Sequence, residues 1–107
     1  MHKTITIDGK EMEFTANAAT PYRFKQVFKS DLLQILGDEQ RAEKEGVEAV
    51  TELAYIMNMQ ARKENMANLD YEGFLTWLEG FGSMAFINSA EDILGVYTDQ
   101  IVGTSTP

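Results

Sequence analysis

The chain has no cysteine, which removes disulfides, thiolate nucleophiles and cysteine-based metal sites from consideration. A cysteine-free chain suits a reducing cytoplasm. Histidine occurs once, at His2, with no serine or aspartate at a spacing that would make it a general base. No apolar run approaches the ~20 residues that a membrane span needs, so no membrane partner is expected. The opening Met-His-Lys-Thr-Ile-Thr enters a polar-alternating strand, so no signal peptide is expected there. Basic residues stop at Lys63: the 44 positions that follow hold seven acids and no lysine or arginine.

Other chemistry is missing as well. The eight glycines are scattered, and none forms Gly-x-Gly-x-x-Gly or Gly-x-x-x-x-Gly-Lys, so nucleotide binding has no support. Gly80-Phe-Gly82 reads as a helix break. Adjacent or near-adjacent acids occur at Asp38/Glu39, Glu43/Glu45 and Glu91/Asp92. Acid–base catalysis needs two carboxylates held in a cleft with separated pKa values. These pairs fall in a polar stretch or a helix first turn, where capping and solvation explain them. No calcium-loop spacing surrounds any of them. No catalytic residue, cofactor or metal ligand is therefore expected.

The 107 residues suffice for one domain with a single core, and 44% apolar and 24% charged content is ordinary for a globular chain. Net charge is −8 and uneven: residues 1–63 carry nine bases against ten acids, and residues 64–107 carry the remaining seven acids. An acidic surface repels phosphate backbones, so a direct nucleic-acid partner is not expected. Solubility is the plain use of such a surface; docking of a basic partner segment is the sharper one.

Periodicity predicts an α+β fold, an N-terminal β-hairpin packed on about four α-helices within 1–102, with a polar, frayed tail at 103–107. Ile5 and Ile7 alternate with threonines, Asp8-Gly9 is a two-residue hairpin turn, and Met12, Phe14 and Ala16 alternate with acids and threonine. The next helix is expected to cover this apolar face. That helix is predicted over 20–36, with Thr20 as cap, Pro21 in its first turn and Phe24, Val27, Phe28, Leu32, Ile35 and Leu36 as its stripe. Residues 37–46 are predicted as a solvated loop with at most a frayed helical turn, and a second helix follows from about Val47 to Met66. Asp70 is expected to cap a third helix rich in aromatics. A fourth is expected to start at Ser83 or at Ser89.

The methionines and aromatics of the second half are the most suggestive group. Met57, Met59, Trp77, Phe81, Met84, Phe86 and Tyr97 are mostly core by spacing. Together with Met66 they nonetheless exceed what four short elements easily hide. Soft, adaptable side chains suit surfaces that accept varied apolar segments. These seven are the candidate partner-binding residues, with Trp77 or Phe81 as anchor. The alternative places binding on the first helix, at Arg23, Lys25 and Lys29.

The run from Ile5 to Phe14, then Ala19-Thr-Pro-Tyr-Arg-Phe-Lys-Gln-Val-Phe28 and Asp31-Leu-Leu33, resembles the tail assembly chaperones of long-tailed (siphovirus-type) phages and prophages of Gram-positive bacteria. Leu53–Met57, Phe74–Leu78 and Ile93–Tyr97 extend the likeness through the chain in order. The resemblance implies a non-enzymatic factor of virion morphogenesis. It would bind and solubilise the tape-measure protein and promote polymerisation of the tail-tube protein around it. It would act in the host cytoplasm and be absent from the finished virion. It also implies a longer form made by frameshifting near the end of the short reading frame, for which 103–107 would be the junction. Homo-oligomerisation is left open. Against this stands a second reading from charge alone, an acidic DNA mimic or other small phage-encoded inhibitor. Seven acids spread among aromatics make a thin imitation of a phosphate ladder.

Overall fold

Asp8 and Gly9 both take positive φ, 54° and 78°, as a type I′ hairpin turn demands. They join β1 (His2–Ile7) to β2 (Lys10–Thr15) in the computed structural model, which describes residues 2–102. The antiparallel register sets Ile5 opposite Met12 and Ile7 opposite Lys10. Ile5, Ile7, Phe14 and Ala16 are buried, as their alternation predicts.

Five helices follow: α1 (Thr20–Phe28), α2 (Leu32–Gly37), α3 (Glu39–Ala61), α4 (Tyr71–Leu78) and α5 (Ala85–Val102). A single 3₁₀ turn, Met66–Asn68, precedes α4. The architecture is the expected α+β arrangement of a hairpin on a helical bundle. Its assembly differs from expectation in three places.

The predicted helix over 20–36 is two helices. Lys29 sits at φ 57°, and the Asp31 carboxylate accepts the backbone N–H of Leu33 at 3.0 Å and of Gln34 at 3.4 Å, starting α2 anew. The apolar spacing runs unbroken across this bend, so periodicity alone could not find it; Ser30-Asp31 is the cap signature that could. At the start of α1, Thr20 is not a cap but a buried residue. Its hydroxyl accepts the Asn17 N–H and donates to Gln60 Oε1, both at 2.9 Å.

The stretch 37–46 is not a loop. Asp38 caps α3 by accepting the N–H of Gln40 at 2.9 Å, Glu39 lies in the favoured first turn, and Arg41 pairs with Glu45 one turn on at 3.0 Å. Its polar residues are the exposed face of the first turns of a 23-residue helix that ends at Ala61 rather than Met66.

The cover of the hairpin is also different. β2 lies against α3 and β1 against α5, while α1 packs on α3. The cause is α3 itself, where every residue from Leu53 to Met59 is buried, so the helix is surrounded on all sides. One core still joins the hairpin, α1, α2, α3, Phe74 of α4 and α5. Asn58 bridges two layers within it, donating to the Glu13 carbonyl at 2.9 Å and accepting from Trp77 Nε1 at 3.1 Å. The Asp70 cap of α4 is as expected, its carboxylate accepting the Gly73 N–H at 2.8 Å. α5 starts at Ala85, near the earlier of the two expected positions. The expected tail at 103–107 lies outside the described residues.

Candidate functional site

The seven residues proposed from sequence do not line one surface. Met57 and Met59 are buried on α3, and Phe86 and Tyr97 are buried on α5. Trp77 and Phe81 are half-buried, and only Met84 is well exposed, at 54%. Met57, Met59 and Tyr97 are corrected to core residues: they are 0%, 6% and 2% exposed and belong to the central cluster, because α3 packs against β2, α1, α2 and α5. Trp77, Phe81 and Phe86 do come together, with ring centroids 5.0–5.2 Å apart. Phe81 and Phe86 of that trio also line an open groove, and Trp77 does not.

The groove lies between α3, α4 and the beginning of α5 and has a volume of about 430 Å³. From α4, Tyr71, Leu75 and Leu78 face it, at four- and three-residue spacing. Phe74 closes its floor, and Phe81, Phe86 and Ile87 form the far wall. From α3 come Val47, Glu48, Thr51 and Glu52. Val47, Tyr71, Leu75 and Ile87 are 37–52% exposed, so the groove opens onto a wider apolar rim. Large apolar side chains gathered at an opening in this way mark interaction sites more often than chance exposure does.

Sequence reasoning missed Val47, Glu48, Glu52, Tyr71, Leu75, Leu78 and Ile87 as site residues. The available signal was a second stripe on α4. Phe74 and Trp77 define its inward face, while Tyr71, Leu75 and Leu78 define a second face, the first two of them exposed. The α3 residues carry no such signal, because Val47, Glu48, Thr51 and Glu52 stand at the polar start of the predicted second helix, off its apolar stripe.

The hairpin turn holds the far wall in place. The Asp8 carboxylate accepts the Gly82 N–H at 2.9 Å. The Lys10 ammonium donates to the Gly80 carbonyl and lies 4.6 Å over the Phe81 ring. Two side chains from the first ten residues thus set the connection between α4 and α5.

The electrostatics of the groove are one-signed. Glu48 and Glu52 lie one turn apart on α3, and no lysine, arginine or histidine lines the groove. Glu52 is half-buried and makes no hydrogen bond or ion pair among the described residues. Burial, with Glu48 adding repulsion, pushes its carboxyl up to about 7. The folded protein therefore holds a proton that the unfolded chain releases near 4.5. Stability from this group is full below about pH 4.5, is lost as pH rises through about 7, and stays lost above that. Glu52→Gln should accordingly stabilise the protein at pH 8 by on the order of 1 kcal/mol, after discounting for solvent screening of a half-exposed group. At pH 4 it should change little. Urea unfolding at the two pH values checks this; equal gains at both would show that burial of the charge is not the cause.

The remaining candidates resolve simply. Among the described residues no group of three or more histidines and acids could hold a metal ion. His2 is exposed and bonded to Thr15 Oγ1 at 2.7 Å and Glu13 Oε1 at 3.1 Å. On α1, Arg23 donates to the Gln26 side chain and Lys29 to the Gln26 carbonyl, so two of the three cations of that patch are engaged within their own helix. No described helix is long and apolar enough to cross a membrane. Comparison with protein-family models, characterised proteins and solved structures returns no match.

Proposed function

We propose that this chain is a tail assembly chaperone of a long-tailed phage or prophage, a binding protein that keeps the tape-measure protein soluble while tail-tube subunits assemble around it. The observation that carries the reading is the groove between α3, α4 and α5: open, apolar along its α4 and α5 walls, large enough for side chains of a partner, and edged by two acids on α3. Apolar helical segments of a long protein need such a surface to escape aggregation, and a chain of net charge −8 stays soluble while offering it. The likeness of Thr20–Gln26 and of the later segments to the tail chaperones supports the same reading. The site of action would be the host cytoplasm. The tail-tube protein and a frameshifted longer form of this chain would be further partners.

Co-expression with the long helical tape-measure protein encoded downstream, which this reading requires, tests it. The chain should move that protein into the soluble fraction. Leu75→Asp, a change at a 37% exposed position, should abolish the rescue while circular dichroism stays native. Lys25→Glu with Lys29→Glu should leave rescue intact. Rescue lost with the α1 double change and kept with Leu75→Asp would move the binding surface to α1. No rescue by the unaltered chain would end the reading.

A further inference from the structure

Two features of the groove call for a common occupant. Its apolar wall sets Leu75 and Ile87, both exposed, beside Leu78, which is half-buried against the core. Its α3 edge carries two carboxylates and no cation, and one of them, Glu52, is half-buried with no hydrogen-bond or ion-pair partner among the described residues. A glutamine would fill the same space without the cost of desolvating a charge. Only a cation from outside the chain converts that cost into an attraction.

We propose that the groove takes one amphipathic α-helix of a partner protein, whose apolar stripe packs on Leu75, Leu78 and Ile87 and whose lysine or arginine beside that stripe is received between Glu48 and Glu52. The inference deepens the chaperone reading, on which it rests for the source of the helix. Its chemistry rests on the groove alone. A helix fits because the groove lies among three helices, where a fourth can insert its apolar ridge. Apolar contacts supply the affinity and the acid pair sets the register, since only a cation one turn or less from the stripe reaches Glu52. Charge speaks against a second copy of this chain as occupant. A symmetric contact through this face would bring Glu48 and Glu52 of both copies together, and α4 and α5 carry no lysine or arginine to offset them.

The test is selection from a displayed library of amphipathic helices of about 18 residues, five turns. The library keeps a leucine stripe and randomises the flanking positions; the bait is the full chain. Helices selected on the unaltered chain should share a lysine or arginine at one position beside the stripe. Replacing that residue by norleucine should weaken binding about tenfold, and Glu52→Gln should erase the difference between the two peptides. Selection on Glu52→Lys should instead enrich aspartate or glutamate at that position. Binding of every selected helix should fall with Leu75→Asp and, as an independent check on folding, with Ile87→Asp at a 48% exposed site.

Equal affinity for the cationic helix and its norleucine analogue overturns the inference, as does binding indifferent to both groove variants. A dimer in sedimentation equilibrium that Leu75→Asp converts to monomer assigns the groove to a second copy and also overturns it. The two readings fail separately. Rescue of the tape-measure protein by the unaltered chain and by Glu52→Lys alike defeats the cation site and leaves the chaperone. Cation-selective binding without rescue defeats the chaperone and leaves the site.

Discussion

Phe24→Ala should destabilise the protein by about 3–5 kcal/mol, enough to take a large share of the stability of a domain this size. The Phe24 ring is fully buried. It lies 5.1 Å from Phe28, which in turn meets Phe74 at 5.0 Å and Tyr55 at 6.5 Å. Removing the first ring leaves a cavity at the inner end of this aromatic row, where the packed α3 backbone cannot collapse into it. Phe28→Ala should cost less, about 2 kcal/mol, because Phe28 is only half-buried and water can fill part of the space. From periodicity the two rings are equivalent; the bend at Lys29 separates them by ending α1 at Phe28 and lifting that ring toward Tyr71, 6.2 Å away. Urea denaturation of the two variants decides the order. A Phe28→Ala loss equal to that of Phe24→Ala would mean that the outer ring is as enclosed as the inner one.

Asn58→Ala should cost about 2–4 kcal/mol, although the side chain is small and polar. Asn58 is 4% exposed, and its amide satisfies two groups that nothing else in contact satisfies in its place: the Glu13 carbonyl of β2 and the indole N–H of Trp77. Alanine leaves an acceptor and a donor without their protein partner at a partly buried junction of β2, α3 and α4. Desolvation of two orphaned groups outweighs the modest value of the bonds themselves. A double-mutant cycle separates the two halves. With Trp77→Phe already in place, Asn58→Ala should cost roughly 1 kcal/mol less, because one of the stranded groups is gone. Tryptophan fluorescence of the single variant should also change, since the indole loses its partner. A cost below about 0.5 kcal/mol would show that water replaces the amide and that the link between hairpin and α4 is not structural.

Local chemistry made several elements legible without any structure. Asp8-Gly9 could only be a tight turn, because few residue pairs accept positive φ at both positions. The alternation of Ile5, Ile7, Met12 and Phe14 dictates which hairpin face is buried, and Asp70 had a helix to cap within three residues. These are decisions made over a few residues by backbone sterics and nearby hydrogen bonds. The number of helices, their partners and the groove were decided at longer range. The apolar stripe over 24–36 is the same for one straight helix and for two bent ones, and only the competition between the Asp31 cap and a continuous ladder selects the bend. The polar residues 39–46 became helix because α3, buried from Leu53 to Met59, propagates back through good helix formers to the Asp38 cap. Met57, Met59 and Tyr97 became core, rather than surface, because α3 is surrounded by β2, α1, α2 and α5. The same arrangement leaves Tyr71 and Leu75 exposed on α4, with Leu78 half-buried beside them. Burial is a property of neighbours, and which helix would neighbour α4, and which carboxylates of α3 would face it, was settled only when the chain closed on itself.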